Sequence, residues 1–218
     1  MISRNLKATY YSLTGPIMYI NGTIKRKFKN YKGILKVQLG PGQKNYIDGW
    51  INVDANILTC KPDIWADLKN KLPFRNDSVD FIYSHHFIEH LPNLQFHFNE
   101  MFRCLKKGGK IRVGGPNGDC AIERFVNNDF NWFSDFPDKR NSIGGKLENF
   151  IFCRQEHLTI LTFSYLEELA TNAGFSEIRK CKPKIETNYP DFIDNQVLSK
   201  ESENNFENPH TLIIEATK

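Results

Sequence analysis

The sequence predicts an α/β protein built on a doubly wound, mostly parallel sheet of seven strands, and three observations carry that reading. From residue 34 onward short apolar runs alternate with glycine and proline turn signals. A helical stretch leads into Gly108-Gly109 and then directly into another strand pattern. Two further strand patterns, at 177–182 and 211–217, close the chain behind a capped helix. Strand, helix and strand in succession point to parallel pairing through right-handed crossovers.

Residues 3–30 carry a weakly amphipathic helical pattern interrupted at Gly15-Pro16, which predicts one or two short helices. Strands follow at 34–39, ending on Gly40-Pro41-Gly42, then at 50–54, 64–67 and 79–84. A helix over 93–106 places Leu94, Phe98, Met101, Phe102 and Leu105 on one face. Lys106-Lys107 suit the negative end of its dipole, and Gly108-Gly109 are expected to stop it. Residues 110–114 form the fifth strand. A helix over 164–173 has Ser164 as N-cap, Glu167 completing a capping box and Gly174 as C-cap. Between the last two strands, 183–210 is polar, carries three prolines and reads as a long loop.

The connections from 39 to 50 and from 54 to 64 are too short for ordinary crossover helices. The first crossovers are therefore shortened and one face of the sheet is thinly covered. The expected organisation is an N-terminal helical segment, 1–30, covering the core of a domain over 31–218.

At 218 residues the chain suits one buried domain with an added segment. Its 40% hydrophobic and 25% charged residues are ordinary for a folded protein. The net charge of +4 is mild, and much of the excess lies in 24–36. That run reads as a solvated basic helix end, with a peripheral anionic-membrane or nucleic-acid contact as the second reading. Five scattered cysteines, odd in number and without Cys-x-x-Cys spacing, fit a disulfide framework poorly and read as reduced thiols in a cytoplasmic protein. No metal site is expected. The N-terminus is too polar and Pro-broken for a signal peptide, and no stretch approaches a membrane span in length.

A glycine turn after a strand lets backbone amides approach a carboxylate or phosphate, although such turns also end many strands without binding anything. Gly40-Pro41-Gly42 is followed by Asp54 at the second strand tip, where a carboxylate can accept both hydroxyls of a ribose or simply face solvent. Asp67 stands at the third tip, in reach of an adenine amino group. The carboxyl edge of the sheet thus presents Gly-x-Gly, Asp and Asp in order, where open α/β sheets bind ligands. A dinucleotide fingerprint needs a third glycine at 45, where Asn45 stands, and an acidic residue further along than Asp54.

Val37-Gln-Leu-Gly-Pro-Gly-Gln-Lys-Asn-Tyr-Ile-Asp-Gly-Trp-Ile-Asn-Val-Asp54 resembles the first motif of the class I S-adenosylmethionine (SAM)-dependent methyltransferases, in the small bacterial type with a Gly-Trp-Ile-Asn-Val-Asp second strand. Asp67-Leu68 with Leu72-Pro-Phe, and Ser78-Val-Asp-Phe-Ile-Tyr-Ser-His-His-Phe-Ile-Glu-His-Leu91, resemble the family's third and fourth strand motifs. Asn99-Glu-Met-Phe-Arg-Cys-Leu-Lys-Lys-Gly-Gly-Lys-Ile-Arg-Val113 is similar to its Leu-Lys-x-Gly-Gly signature. The resemblance implies a Rossmann-like fold that binds SAM and releases S-adenosylhomocysteine. By position, Gly40 and Gly42 face the methionine moiety and Asp54 holds the ribose. Asp67 and the Leu68 amide hold the adenine, and Ser84, His85 and His86 lie near the amino acid tail and the methyl group. The subgroup is often associated with sugar and cell-surface polysaccharide modification, which implies a small-molecule or glycan acceptor rather than nucleic acid. Ser84-His-His-Phe, where amino-methylating nucleic-acid enzymes carry Asn-Pro-Pro-Tyr or Asp-Pro-Pro-Tyr, favours oxygen.

Methyl transfer asks chiefly for alignment and water exclusion, with a base only where the acceptor loses a proton. His86, His85, His157 and Asp119 are the candidates, each with a structural role as its alternative. Glu89-His90 read as helix-start residues. The aromatic stretch 125–136 is either a satellite hydrophobic cluster or an acceptor-pocket wall. Two other functions stay open: a non-catalytic SAM-binding or partner-binding protein, and an NAD(P)-dependent oxidoreductase.

Overall fold

The computed structural model describes residues 4–28, 33–58, 60–201 and 203–218. Its strands are β1 (Lys36–Leu39), β2 (Ile51–Asp54), β3 (Ile64–Trp65), β4 (Val79–His85), β5 (Leu105–Pro116), β6 (Ser176–Cys181) and β7 (Thr211–Thr217). They form one sheet in the order β3-β2-β1-β4-β5-β7-β6, in which only β7 runs antiparallel to its neighbours. Helices α1 (Arg4–Phe28), α2 (Leu94–Cys104), α3 (Gly118–Val126), α4 (Ile143–Phe152), α5 (Phe163–Ala173) and α6 (Asn195–Leu198) complete it. Among the described residues no helix joins β1 to β2 or β2 to β3, as the short connections require.

Because strand side chains alternate, registered partners share a face. One face carries Val37, Leu39, Val53, Ile82, Ile111, Val113 and Ile214, packed under α2 through Phe98 and Met101 and under α5 through Leu166 and Leu169. The opposite face is unusual. Asn52, Gln38, Tyr83, Arg112 and Glu215 register with one another across five strands, and each is almost wholly buried. Buried polar groups must find partners inside the protein. Arg112 meets Glu201 at 2.7 and 2.8 Å and Glu215 at 2.7 Å, and donates to the Glu186 carbonyl at 2.9 Å. The Tyr83 hydroxyl donates to Glu201, and Glu215 accepts from Thr187 and from the Asn188 amide. Beside this row Trp50, Phe81 and Ile47 pack against Tyr189, Phe192, Ile193 and Val197.

The stretch expected as a loop over 183–210 therefore covers the face that the missing helices leave open, and includes α6. The N-terminal segment, expected over that face, is seated along the β3 edge instead. Tyr10 donates to the Ala55 carbonyl at 2.6 Å, Asn21 accepts from the Trp65 amide, and Lys25 donates to the Asp63 carbonyl at 2.7 Å. It is also one long helix, where one or two short ones were expected, and Pro16 lies inside it. A mid-helix proline costs about 3 kcal/mol. Anchors on both sides of Pro16, at Tyr10 and at Asn21 and Lys25, hold the two halves on the same edge and offset that cost.

Two terminators also differ from expectation. Helix α2 ends at Cys104, because Leu105 is already extended and pairs with Val79. The glycine pair instead shapes a bulge in β5: Gly108, at φ +76°, donates to the Lys218 carbonyl at 2.9 Å, and pairing with β4 resumes at Lys110. Lys106 pairs with Asp80 rather than with the helix end. Helix α5 is capped by Thr162, whose hydroxyl accepts from the Tyr165 amide, and Ser164 lies one residue inside the helix. Gly174 ends it in the left-handed conformation as expected. No described helix is long and apolar enough to cross a membrane. Side chains 26–32 of the basic run 24–36 lie outside the described residues.

Candidate functional site

Parallel pairing of β2, β1 and β4 sets their carboxyl ends side by side, and the expected residues gather there. Gly40, at φ +69°, donates to the Val53 carbonyl at 3.0 Å and so folds the turn after β1 onto β2. A Cβ at this position would sit 2.4 Å from the Phe87 ring. Gly40→Ala combines left-handed strain with that clash and is expected to lose about 2 kcal/mol or more of stability. Urea denaturation checks this, and an unchanged midpoint would contradict it. Gly42, at φ +58°, has open space where a Cβ would stand. Its amide donates to Asp54 Oδ2 at 3.0 Å, while Asp54 Oδ1 accepts from the Asn56 amide at 2.8 Å. Burial pushes the Asp54 carboxyl above its ordinary range, against the pull of these amides.

At the next tip, Asp67 accepts from the Lys69 amide at 3.1 Å and from the Asn70 side chain at 3.0 Å. The Leu68 amide lies within this turn, and the Leu68 side chain is buried in the core. One contributor went unread in the sequence. Tyr11, from α1, has its hydroxyl pushed up to about 12, first by burial and then by the charges of Asp67 and Asp54. Its ring lies under the Lys69 ammonium at 3.3 Å. A helix far from the motifs thus closes the site beside both carboxylates, and no local pattern marks Tyr11 for that place.

At the tip of β4, Ser84 points to the apolar face and donates to the Leu39 carbonyl at 3.3 Å. His85 lies on the polar face, stacked on Tyr83, with Nδ1 unpartnered and its pKa held well below the ordinary value by burial and then by His86. His86 takes a left-handed backbone, φ +50°, which costs a non-glycine residue about 1–2 kcal/mol. Its Nδ1 is 3.3 Å from Glu89 Oε1 and its Nε2 is 3.1 Å from the Thr211 hydroxyl. Asp119 stands in the first turn of α3, where its carboxylate accepts from the Phe163 amide at 2.8 Å and ties α3 to α5.

Glu89 sits in a short 3-10 turn, Ile88–His90, and is almost completely buried. Besides His86, its Oε1 lies 4.0 Å from His90 Nε2 and 3.9 Å from His157 Nε2. Its Oε2 has no partner. Burial raises the Glu89 carboxyl, but His86 and His90 outweigh it and the net shift is downward. The His157 pKa is lowered, chiefly by burial. Three histidines around one buried carboxylate are more than a helix start requires. The sequence showed Glu89-His90 and His157 separately and gave no sign that they meet.

The aromatic stretch folds as the end of α3 and a 3-10 turn, Phe130–Trp132. Trp132 and Phe133 pack with Cys120, Ala121 and Ile151, and the Trp132 ring stacks on His210 at 4.2 Å. Beside them is a cleft of about 310 Å³ lined by Phe130, Phe133, Lys139, Arg140 and Lys146.

Residues 53–113 match the family described as methyltransferase domain. No curated protein matches the sequence. Among solved structures, a SAM-dependent methyltransferase from Archaeoglobus fulgidus is 17% identical, with TM-score 0.51 over 96% of this chain and 100% of that one. One from Mesorhizobium loti is 13% identical, with TM-score 0.51 over 96% and 98%. Phosphoethanolamine N-methyltransferase 2 from Haemonchus contortus, solved with S-adenosyl-L-methionine, is 16% identical, with TM-score 0.51 over 96% of this chain and 56% of that one. At these identities the likeness is one of fold.

Proposed function

We propose that this chain is a class I SAM-dependent methyltransferase and binds SAM along the carboxyl edge of β1 to β4. On this reading it transfers the methyl group to a hydroxyl oxygen of a small-molecule or glycan acceptor. The observation that carries the reading is the pairing of the Gly42 amide with the Asp54 carboxylate at adjacent strand tips, with Asp67 at the next. The donor set fits the cofactor. Asp54 keeps lone pairs for a vicinal diol, Asp67 for an exocyclic amine, and the open space before Gly42 admits a ligand at the backbone. When bound, SAM supplies a sulfonium methyl whose transfer leaves neutral S-adenosylhomocysteine.

The chain's own residues then bind, orient and exclude water. Tyr11, largely buried beside both carboxylates, keeps water from that side of the site. Of the groups expected to handle a proton, Asp119 is engaged by the Phe163 amide and His85 is buried and neutral. His86, whose ring nitrogens meet Glu89 and Thr211, has a side chain 40% exposed and is the one of the three nearest solvent. Tryptophan-quenching titrations with S-adenosylhomocysteine and with NAD test the reading. Saturable quenching by the first and none by the second is expected. Preference for NAD, or binding of neither, would overturn it. Incubation with methyl-labelled SAM and hydroxyl-bearing saccharides then separates an enzyme from a non-catalytic binder, because only the enzyme yields a methyl ether.

A further inference from the structure

The tautomers of His90 and His157 are fixed by what their rings touch. His90 Nδ1 lies 2.9 Å from the Glu156 carbonyl oxygen and His157 Nδ1 lies 3.0 Å from the Ile151 carbonyl oxygen. A carbonyl only accepts, so both Nδ1 atoms carry the proton and donate it. In the neutral rings both Nε2 atoms therefore present lone pairs, and both are turned towards Glu89 Oε1, at 4.0 and 3.9 Å. Three acceptors converge with nothing positive between them, and all three ligand atoms lie within 4.8 Å of one another. The second carboxylate oxygen is buried and unpartnered. Such an arrangement offers a cation three converging donor atoms at its centre.

We propose that Glu89, His90 and His157 bind one divalent first-row transition-metal ion, through Glu89 Oε1 and the Nε2 atoms of both histidines. Two imidazoles and one carboxylate are a donor set that first-row ions such as Zn2+, Co2+ and Fe2+ accept, with positions left open for water or a substrate oxygen. The outer contacts match this role. Metal-bound histidines donate their other ring proton to a carbonyl or carboxylate, which both do here, and such contacts fix the ring and raise its basicity. His86 orients the carboxylate by donating Nδ1–H to Glu89 Oε1. The Leu158 amide donates to the Glu89 carbonyl at 2.8 Å and so fixes the loop that brings His157 in. The His90 side chain is 39% exposed, so an ion reaches the site from solvent. The inference does not depend on the methyltransferase reading, although the site adjoins the tip of β4.

Titration of the full chain with Co2+ tests it. We expect one equivalent to bind and to develop visible ligand-field absorption, with Zn2+ displacing it. His90→Gln and His157→Gln should each weaken binding by about 100-fold or more, while circular dichroism and the melting temperature of His90→Gln, a half-exposed site, stay near wild type. Absence of saturable Co2+ binding would overturn the proposal, as would binding that survives both substitutions. A His157 ring carrying two protons in nitrogen-15 spectra recorded with Zn2+ present would also overturn it, because a proton would then fill the gap. Loss of S-adenosylhomocysteine binding with Co2+ binding intact would remove the functional reading and leave the metal site standing.

Discussion

Arg112→Met is expected to destabilise the protein by about 3–5 kcal/mol, because removing one partner of a buried ion pair leaves charge without compensation. Here two carboxylates lose the same partner. Glu201 and Glu215 both depend on this guanidinium, and all three side chains are fully buried. Methionine matches the volume, so the effect isolates charge and hydrogen bonding from packing. Equilibrium urea unfolding measures it, and a loss below about 1 kcal/mol, the scale of an exposed pair, would contradict it. The pH dependence has a definite sign. Burial raises the Glu215 carboxyl, but hydrogen bonds from Thr187 and Asn188 and the charge of Arg112 lower it on balance. In the wild type, Glu215 therefore contributes stability that is present above the unfolded carboxylate range and lost as pH falls through its depressed folded value. In Arg112→Met the Glu215 carboxylate loses its cation and protonates more readily. The gap between the two proteins should narrow on acidification.

Asp54→Ala should weaken S-adenosylhomocysteine binding by about 100-fold. Two hydrogen bonds to a charged group, at about 1.5 kcal/mol each, give a loss of about 3 kcal/mol. The same carboxylate holds the Gly42 and Asn56 amides, so the alanine also loosens the turn that approaches the ligand. Asp54→Asn keeps one acceptor and should fall between the two. Isothermal titration separates the three proteins, and an alanine variant that binds like wild type would remove Asp54 from the site. Since burial raises the Asp54 carboxyl, affinity should begin to fall on acidification at a higher pH than an exposed aspartate would give.

The sequence disclosed what local chemistry determines. Alternation and glycine ends located β1, β2 and β4, and the order of Gly40, Gly42, Asp54 and Asp67 along the chain became their order along the sheet edge. It misjudged features whose cause lies far away. Pro16 argues locally for a break, but contacts with residues 55, 63 and 65 hold the helix together. Gly108 argues locally for a helix stop, but its partner is Lys218. The polar row was hidden for the same reason. Arg112 has partners 74 to 103 residues away, so the stretch containing Glu186 and Glu201 looked merely hydrophilic. In the site, Tyr11 and the meeting of Glu89 with His157 depend on tertiary placement and leave no trace in spacing.

The cover over the polar face has a consequence for how the native protein opens. Residues 184–201 contain little regular structure, and such segments usually fray and are cut by proteases first. This one cannot lift piecemeal, because raising Glu201 exposes Arg112 and Tyr83 before any compensating contact forms. Its opening should therefore belong to the global unfolding unit. Amide hydrogens such as that of Lys184, which is bonded to Glu201, should exchange at rates close to those of β5 rather than those of a surface loop. A stretch with the composition of a linker would then have the lifetime of a core strand.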